Sequence, residues 1–248
     1  MFQFNPDLDP RALGDQLRER RRLQIRDILP SADAERAYKI LYDDTPWWVA
    51  YNVGDRVNQM PPEQFARLNP MQVNQLVEEV NERAQRNYQF LYQFYPVIEK
   101  YFNERPRPNL PIFEIFEFLN SPAALQFFRT LTGRDDVQWV DAQATLYQAG
   151  HFLKSHSDLD PSNTRVAAYV LNFTKLWERD WGGYLQFFND QHDIELAIRP
   201  IFNALNIFAV PHDHSVEMVA PFAGGMRLAI TGWLRTDDPP GPFGRLGG

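Results

Sequence analysis

Cysteine is absent from the 248 residues, and with it go disulfides, thiolate zinc sites and cysteine nucleophiles. Any metal must therefore be held by histidine and carboxylate. Long apolar runs are missing too. No stretch approaches the ~20 residues that a membrane-spanning helix needs, and the opening MFQFNPDLDPRALGDQLRERRR has no apolar core of signal-peptide length. The expectations are no membrane partner and a cytoplasmic location. Positive charge is in deficit: 25 Lys+Arg against 32 Asp+Glu give a net charge of -7, so nothing draws the chain as a whole to nucleic acid. The local exception is RERRR at residues 18–22. There is no internal repeat and no glycine-rich phosphate loop, because Gly182-Gly183 and Gly224-Gly225 lack the flanking pattern.

What is present is apolar mass, 44% hydrophobic and 14% aromatic residues, enough for a substantial core in one domain with accessory elements. The first half reads as helical. Residues 13–28 are charge-dense, and any helix there is a solvated one with a single stripe through Leu13, Leu17 and Ile28. Ser31 can cap a second helix carrying Ala34, Tyr38 and Leu41. TPWWVAYNV at 45–53 is aromatic and β-branched and suits a strand. Asn69 and Pro70 open a long amphipathic helix whose apolar positions run from Val73 through Tyr88 to Leu91, with Pro96 as its limit. Ser121 and Pro122 start a short helix that Gly133 stops.

After Gly133 short runs rich in Val, Ile, Tyr and Phe alternate with turn residues, at about 137–147, 165–172, 184–188, 205–210, 215–219 and 226–233. That is the pattern of an antiparallel sheet system. Helices followed by many short strands predict an α+β fold, a jelly-roll core at 135–236 backed by helices and an early strand at 1–134. The Pro/Gly-rich end, 237–248, reads as a loose tail.

The segment HFLKSHSD places His156 and Asp158 two residues apart, so on an extended strand both side chains project from one face. Two histidines and a carboxylate on one face of an octahedron make the facial triad of non-haem Fe(II) sites. Alone, such a pair in a chain with five histidines is more often an ordinary surface strand or turn. PHDHSVEMV offers a further ligand, His212 or His214, which lie two residues apart on one strand face. His151 and His192 have no partner pattern and read as structural or exposed. Arg227, flanked by Leu228, Ile230 and Trp233, opens the last strand-like run. It is either a salt-bridged surface residue or a buried planar fork for a dicarboxylate, and its apolar flanks favour the second.

From about Phe118 onward the chain resembles the 2-oxoglutarate/Fe(II) dioxygenases of the prolyl 4-hydroxylase superfamily, in particular the hypoxia-sensing and ribosomal-protein prolyl hydroxylases. The blocks run in order: FLNSPAALQFFRTLTG, YQAGHFLKSHSD, AAYVLNFTKLWERDWGGYLQFF, IRPIFNALNIFAV, HSVEMV and RLAITGW. Earlier, ILPSADAERAYKIL and PWW resemble the opening helix and first strand of the family. The resemblance implies a double-stranded β-helix, with His156, Asp158 and His214 as metal ligands; the His-x-Val match selects His214 over His212. It implies that Arg227 binds the distal carboxylate of 2-oxoglutarate and that Tyr147, Thr231 and Trp233 line the same pocket. Two departures stand out. Val170 occupies the place of an aromatic hydroxyl just before Leu171-Asn172, with Tyr169 facing the other way, and the turn at 220–225 is longer than in the hypoxia-sensing enzymes.

The implied cofactors are Fe(II), 2-oxoglutarate and O2, with ascorbate as an accessory. The implied chemistry is decarboxylation of 2-oxoglutarate to succinate and CO2 coupled to hydroxylation of a C–H bond. A prolyl residue in a protein or peptide is the leading substrate. A free amino acid or metabolite is the alternative, and a non-catalytic jelly-roll binding module is the reading from another class. A zinc hydrolase can also use two histidines and an aspartate, but it leaves Arg227 and the ordered blocks unexplained.

Overall fold

A curled antiparallel sheet with helices on its outer face makes up the computed structural model, which describes residues 1–243. Among these residues the helices are α1 (Pro10–Arg20), α2 (Ser31–Lys39), α3 (Pro62–Phe65), α4 (Pro70–Ala84), α5 (Val97–Phe102), α6 (Ile112–Leu119) and α7 (Pro122–Thr132). The strands are β1 (Arg22–Arg26), β2 (Trp48–Val53), β3 (Arg56–Met60), β4 (Phe90–Tyr95), β5 (Trp139–Val140), β6 (Gln143–Tyr147), β7 (Phe152–His156), β8 (Arg165–Phe173), β9 (Leu185–Phe188), β10 (Ile194–Ile198), β11 (Phe202–Ala209), β12 (His214–Val216) and β13 (Arg227–Arg235). The sheet runs β1-β11-β8-β13-β6-β4-β7-β12-β9-β10, a jelly-roll core as the sequence predicts.

Strand β4 turns this ribbon from one face of the roll to the other. Its C-terminal half, Gln93 to Tyr95, pairs with β6, and its first residues, Phe90 and Leu91, pair with β7. This corrects the long helix expected to reach Leu91. The helix opens as predicted, with Asn69 and Gln72 exchanging reciprocal capping bonds, but it ends at Ala84. The Lys154 ammonium, from β7, donates to the freed carbonyls of Ala84 and Asn87 at 2.7 Å each, drawing the chain out of the helix. FLYQFY then follows aromatic strand preference over helical spacing.

A second correction concerns residues 13–28. Arg21 adopts a left-handed conformation (φ 58°) that stops α1, and the next five residues form β1 against β11, with Ile25 buried. The expected solvated helix is half strand because Ile25 and Ile28 find apolar cover on the sheet. Other predicted elements hold: Ser121 caps α7 and Gly133, at φ 66°, ends it. The run at 137–147 divides into β5 and β6, and β3 and β10 add to the strands expected.

The main core packs α2, α5, α6 and α7 on β6, β8, β11 and β13, with Tyr95, Tyr101, Phe116, Phe128 and Phe173 among its fully buried side chains. The tail differs from expectation as far as it is described: Phe243 packs against Phe102 and Phe116, with ring centroids 5.5 Å from each. Residues 244–248 of the expected tail lie outside the described residues. Among the described residues no helix is long and apolar enough to cross a membrane.

Two features of this framework predict measurable behaviour. Gly232, in β13, lies so close to Asp141 that a Cβ would run into its backbone oxygen and carboxylate. Gly232→Ala is expected to cost about 3 kcal/mol of stability in urea unfolding, since one obstacle is backbone and the other, the carboxylate, is held in place by the Trp233 N–H. His151 is buried beside the carbonyl of Leu146, and burial pushes its imidazole down to about 4. An imidazole kept neutral in the fold but charged in the unfolded chain stabilises fully above the unfolded value of 6.5. That contribution is lost as pH falls towards 4, roughly 3 kcal/mol in all. Unfolding curves of wild type and His151→Leu, compared at pH 7 and pH 4, should diverge by that amount, with the wild type losing more.

Candidate metal centre and co-substrate pocket

Strands β7 and β12 lie antiparallel with His156 directly opposite His214, which brings their ring centroids to 4.3 Å. Each ring is fixed by the same device. His156 Nδ1 lies 3.0 Å from the carbonyl of Lys154, and His214 Nδ1 lies 2.8 Å from that of His212. A carbonyl only accepts, so both Nδ1 atoms carry a proton, and each ring turns its Nε2 to the interior of the site. Both Nε2 atoms face one carboxylate: Asp158 Oδ1 is 3.3 Å from His156 Nε2, and Oδ2 is 3.5 Å from His214 Nε2.

Asp158 does not stand on the strand, as the i, i+2 argument assumed. Strand β7 ends at His156, and Asp158 sits just beyond it at φ 56°, a conformation that aspartate tolerates better than most residues. The left-handed turn, rather than pleat alternation, swings the carboxylate under the two rings. One donor atom from each residue falls within 4.8 Å of the others. Burial works to raise the Asp158 carboxyl, but the His156 hydrogen bond and the neighbouring imidazoles outweigh it and hold it below the usual carboxylate range. Burial, reinforced by His156, pushes the His214 imidazole down to about 4. The set offers one carboxylate and two imidazole nitrogens, a donor set suited to a divalent ion with open positions.

His212, the rival ligand, faces away. Its Nε2 lies 3.0 Å from the guanidinium Nη1 of Arg22, a group that can only donate, so that lone pair is taken. His151 is structural, and His192 occupies a turn at φ 65°.

A cavity of about 230 Å³ opens from the three residues and is lined by Tyr147, Arg227, Thr231 and Trp233, the residues singled out from sequence. Arg227 pairs with Tyr147 across β13 and β6 and is 3% exposed. Its Nε and Nη1 are buried without a hydrogen-bond partner. Burial lowers the guanidinium to about 10, which leaves it charged at neutral pH. Its described neighbour is the Tyr147 ring, whose centroid is 5.1 Å away, and no carboxylate pairs with it among the described residues. An uncompensated buried cation is costly, so this arrangement fits an anionic group entering from the cavity.

Val170 faces the cavity, whereas the Tyr169 hydroxyl donates to the carbonyl of Asp141 at 2.8 Å and is unavailable to a ligand. Among the lining residues that the sequence does not single out are Tyr88, Tyr92 and Arg165. Tyr92 stacks on Tyr147 at 5.2 Å, and Tyr88 lies 5.8 Å from the His156 ring; both went unread because β4 and its approach were taken for helix. Arg165 stacks on Trp233 at 3.8 Å and donates to the backbone oxygen of Asp158. Its signal was an arginine opening the 165–172 strand run just after the His-x-Asp segment.

With this geometry in place, comparison with known proteins bears on the core. Residues 142–235 match the 2OG-Fe(II) oxygenase superfamily. No curated protein matches by sequence. The fold is shared with an oxidoreductase of the 2OG-Fe(II) oxygenase family from Burkholderia pseudomallei, at 12% identity and TM-score 0.62 over 96% of this chain and 95% of that one. It is shared also with a Trichoplax adhaerens prolyl hydroxylase in complex with a hypoxia-inducible-factor peptide fragment (17% identity, TM-score 0.58, 92% and 89% covered). A third such structure is a Pseudomonas putida prolyl-4-hydroxylase (16% identity, TM-score 0.54, 93% and 100% covered). The resemblance to 2-oxoglutarate/Fe(II) oxygenases is thus borne out over residues 142–235, the fold is one that prolyl hydroxylases share, and the matched segment holds every candidate ligand together with Arg227.

Proposed function

We propose that the chain is an Fe(II)- and 2-oxoglutarate-dependent hydroxylase acting on a prolyl residue in a protein or peptide, with release of succinate and CO2. The observation that carries the reading is the charged, buried and unpaired Arg227 guanidinium in the same cavity as the His156–Asp158–His214 set. In this reading His156 Nε2, His214 Nε2 and Asp158 hold the iron, and Arg227 binds the distal carboxylate of 2-oxoglutarate through its planar fork. Bound iron supplies the oxidising chemistry. The chain supplies position: backbone carbonyls fix both imidazoles, while Tyr147, Thr231 and Trp233 wall the co-substrate and exclude water. A hydrolytic zinc site would have no use for Arg227.

At about 230 Å³ the cavity falls below the ~300–1,000 Å³ of ordinary ligand pockets, so the co-substrate and one projecting side chain or ring fill it. That size suits a residue offered by a larger molecule. A peptide bound to the Trichoplax neighbour lends further support to a protein substrate, and the expected place of action is the cytoplasm. The modest volume also keeps open a free amino acid or similar metabolite as the substrate. Purified chain supplied with Fe(II), 2-oxoglutarate and ascorbate should release succinate and add 16 Da to proline in a candidate protein, read by mass spectrometry. Hydroxylation of small metabolites alone would favour the alternative, and no succinate under any condition would favour a binding module.

A further inference from the structure

The RERRR cluster serves no part of the metal centre, and the fold shows where it goes. The curled sheet does not close: β1 and β10 are its two ends, and among the described residues each is paired on one side only. Between the two open edges lies a groove of about 800 Å³ whose walls are β1, β10 and the end of α1. Four arginines, Arg20, Arg22, Arg26 and Arg199, line it against Glu19 and Glu195, a local positive balance on a chain of net charge -7. Arg22 spans the gap at the inner end: one guanidinium nitrogen is 2.6 Å from Glu195 and the other 3.0 Å from His212. Arg20 and Arg26 are exposed and form no ion pair among the described residues. On the opposite wall Leu196 is exposed and Ile198 is half-buried.

Open strand edges present unpaired N–H and C=O groups, and proteins ordinarily blunt them. Here both edges are left facing one groove, where an extended chain can be held by main-chain bonds with its alternate side chains facing opposite walls. We propose that this groove binds an extended peptide segment alternating acidic and apolar residues, added as a strand to an open edge, with its carboxylates on Arg20 and Arg26 and its apolar side chains on Leu196 and Ile198. The surface is separate from the metal cavity, and the proposal does not rest on the hydroxylase reading. A nucleic acid is the less favoured occupant, because the chain's overall negative charge opposes it and strand edges offer backbone pairing that it cannot use.

The test is fluorescence anisotropy on the full-length chain with a labelled eight-residue peptide of alternating Glu and Val. Its comparators are the same peptide with Lys for Glu, the same peptide N-methylated at alternate residues, and labelled oligothymidine. Binding should be at least tenfold tighter for the Glu peptide than for each comparator, should weaken with added salt, and should fall at least tenfold in Arg20→Glu/Arg26→Glu, while succinate release is unchanged. Equal binding of the N-methylated or Lys peptide, or tighter binding of oligothymidine, overturns the proposal, as does a stable dimer of this chain that the two substitutions dissociate. Should the double variant not fold, the comparator peptides on wild type decide the matter alone.

Discussion

Arg227→Leu is expected to make the metal-free chain more stable while abolishing its response to 2-oxoglutarate. The wild-type guanidinium is buried, charged at neutral pH and without a hydrogen-bond partner at Nε and Nη1. Replacing an uncompensated buried charge by an apolar side chain should stabilise by about 1–3 kcal/mol, a rise of several degrees in melting temperature for a chain of this size. Under the proposed function the same variant also deprives the distal carboxylate of 2-oxoglutarate of its bidentate partner. The KM for 2-oxoglutarate should rise about a hundredfold or more, equivalent to roughly 3 kcal/mol. Thermal melts of the metal-free chain check the first half, and succinate release with Fe(II) at varied 2-oxoglutarate checks the second. A surface or purely structural arginine would show the reverse, loss of stability with no change in KM.

Asp158→Asn should reduce succinate formation at least about a thousandfold, roughly 4 kcal/mol of barrier, because the site loses its only anion among the three candidate ligands. Asparagine tolerates the left-handed backbone that Asp158 adopts at φ 56°, so the fold should persist. Circular dichroism matching wild type, together with loss of Fe(II) retention in equilibrium dialysis, would separate a ligand from a folding residue. Alanine would be a poorer test, since it would add backbone strain to the lost charge.

The site was more legible than the frame that supports it. His156, Asp158, His214 and Arg227 could be chosen because each belongs to a short motif whose chemistry depends on residue type, and the order of those motifs limits the folds that can carry them. The reason the carboxylate reaches the two rings was not legible, because a left-handed residue after β7 depends on the surrounding packing and not on pleat spacing. The same limit explains β4. Its helical spacing and its aromatic content conflict locally, and a bond from Lys154, 70 residues from Ala84 in sequence, settles the conflict. For β1 the charges were plain, but the sheet edge that receives it lies at residues 202–209. Tyr88, Tyr92 and Arg165 were missed for these reasons, since their roles come from strands whose partners are distant in the chain.

The most direct test of the account is titration calorimetry of 2-oxoglutarate into the full-length chain under anaerobic conditions, with and without Mn(II) as a redox-inert stand-in for Fe(II). If Arg227 and the metal grip opposite ends of one keto diacid, one molecule should bind per chain in the presence of the metal, and binding should be undetectable or far weaker in its absence. Equal affinity with and without metal, or no binding in either case, would contradict it.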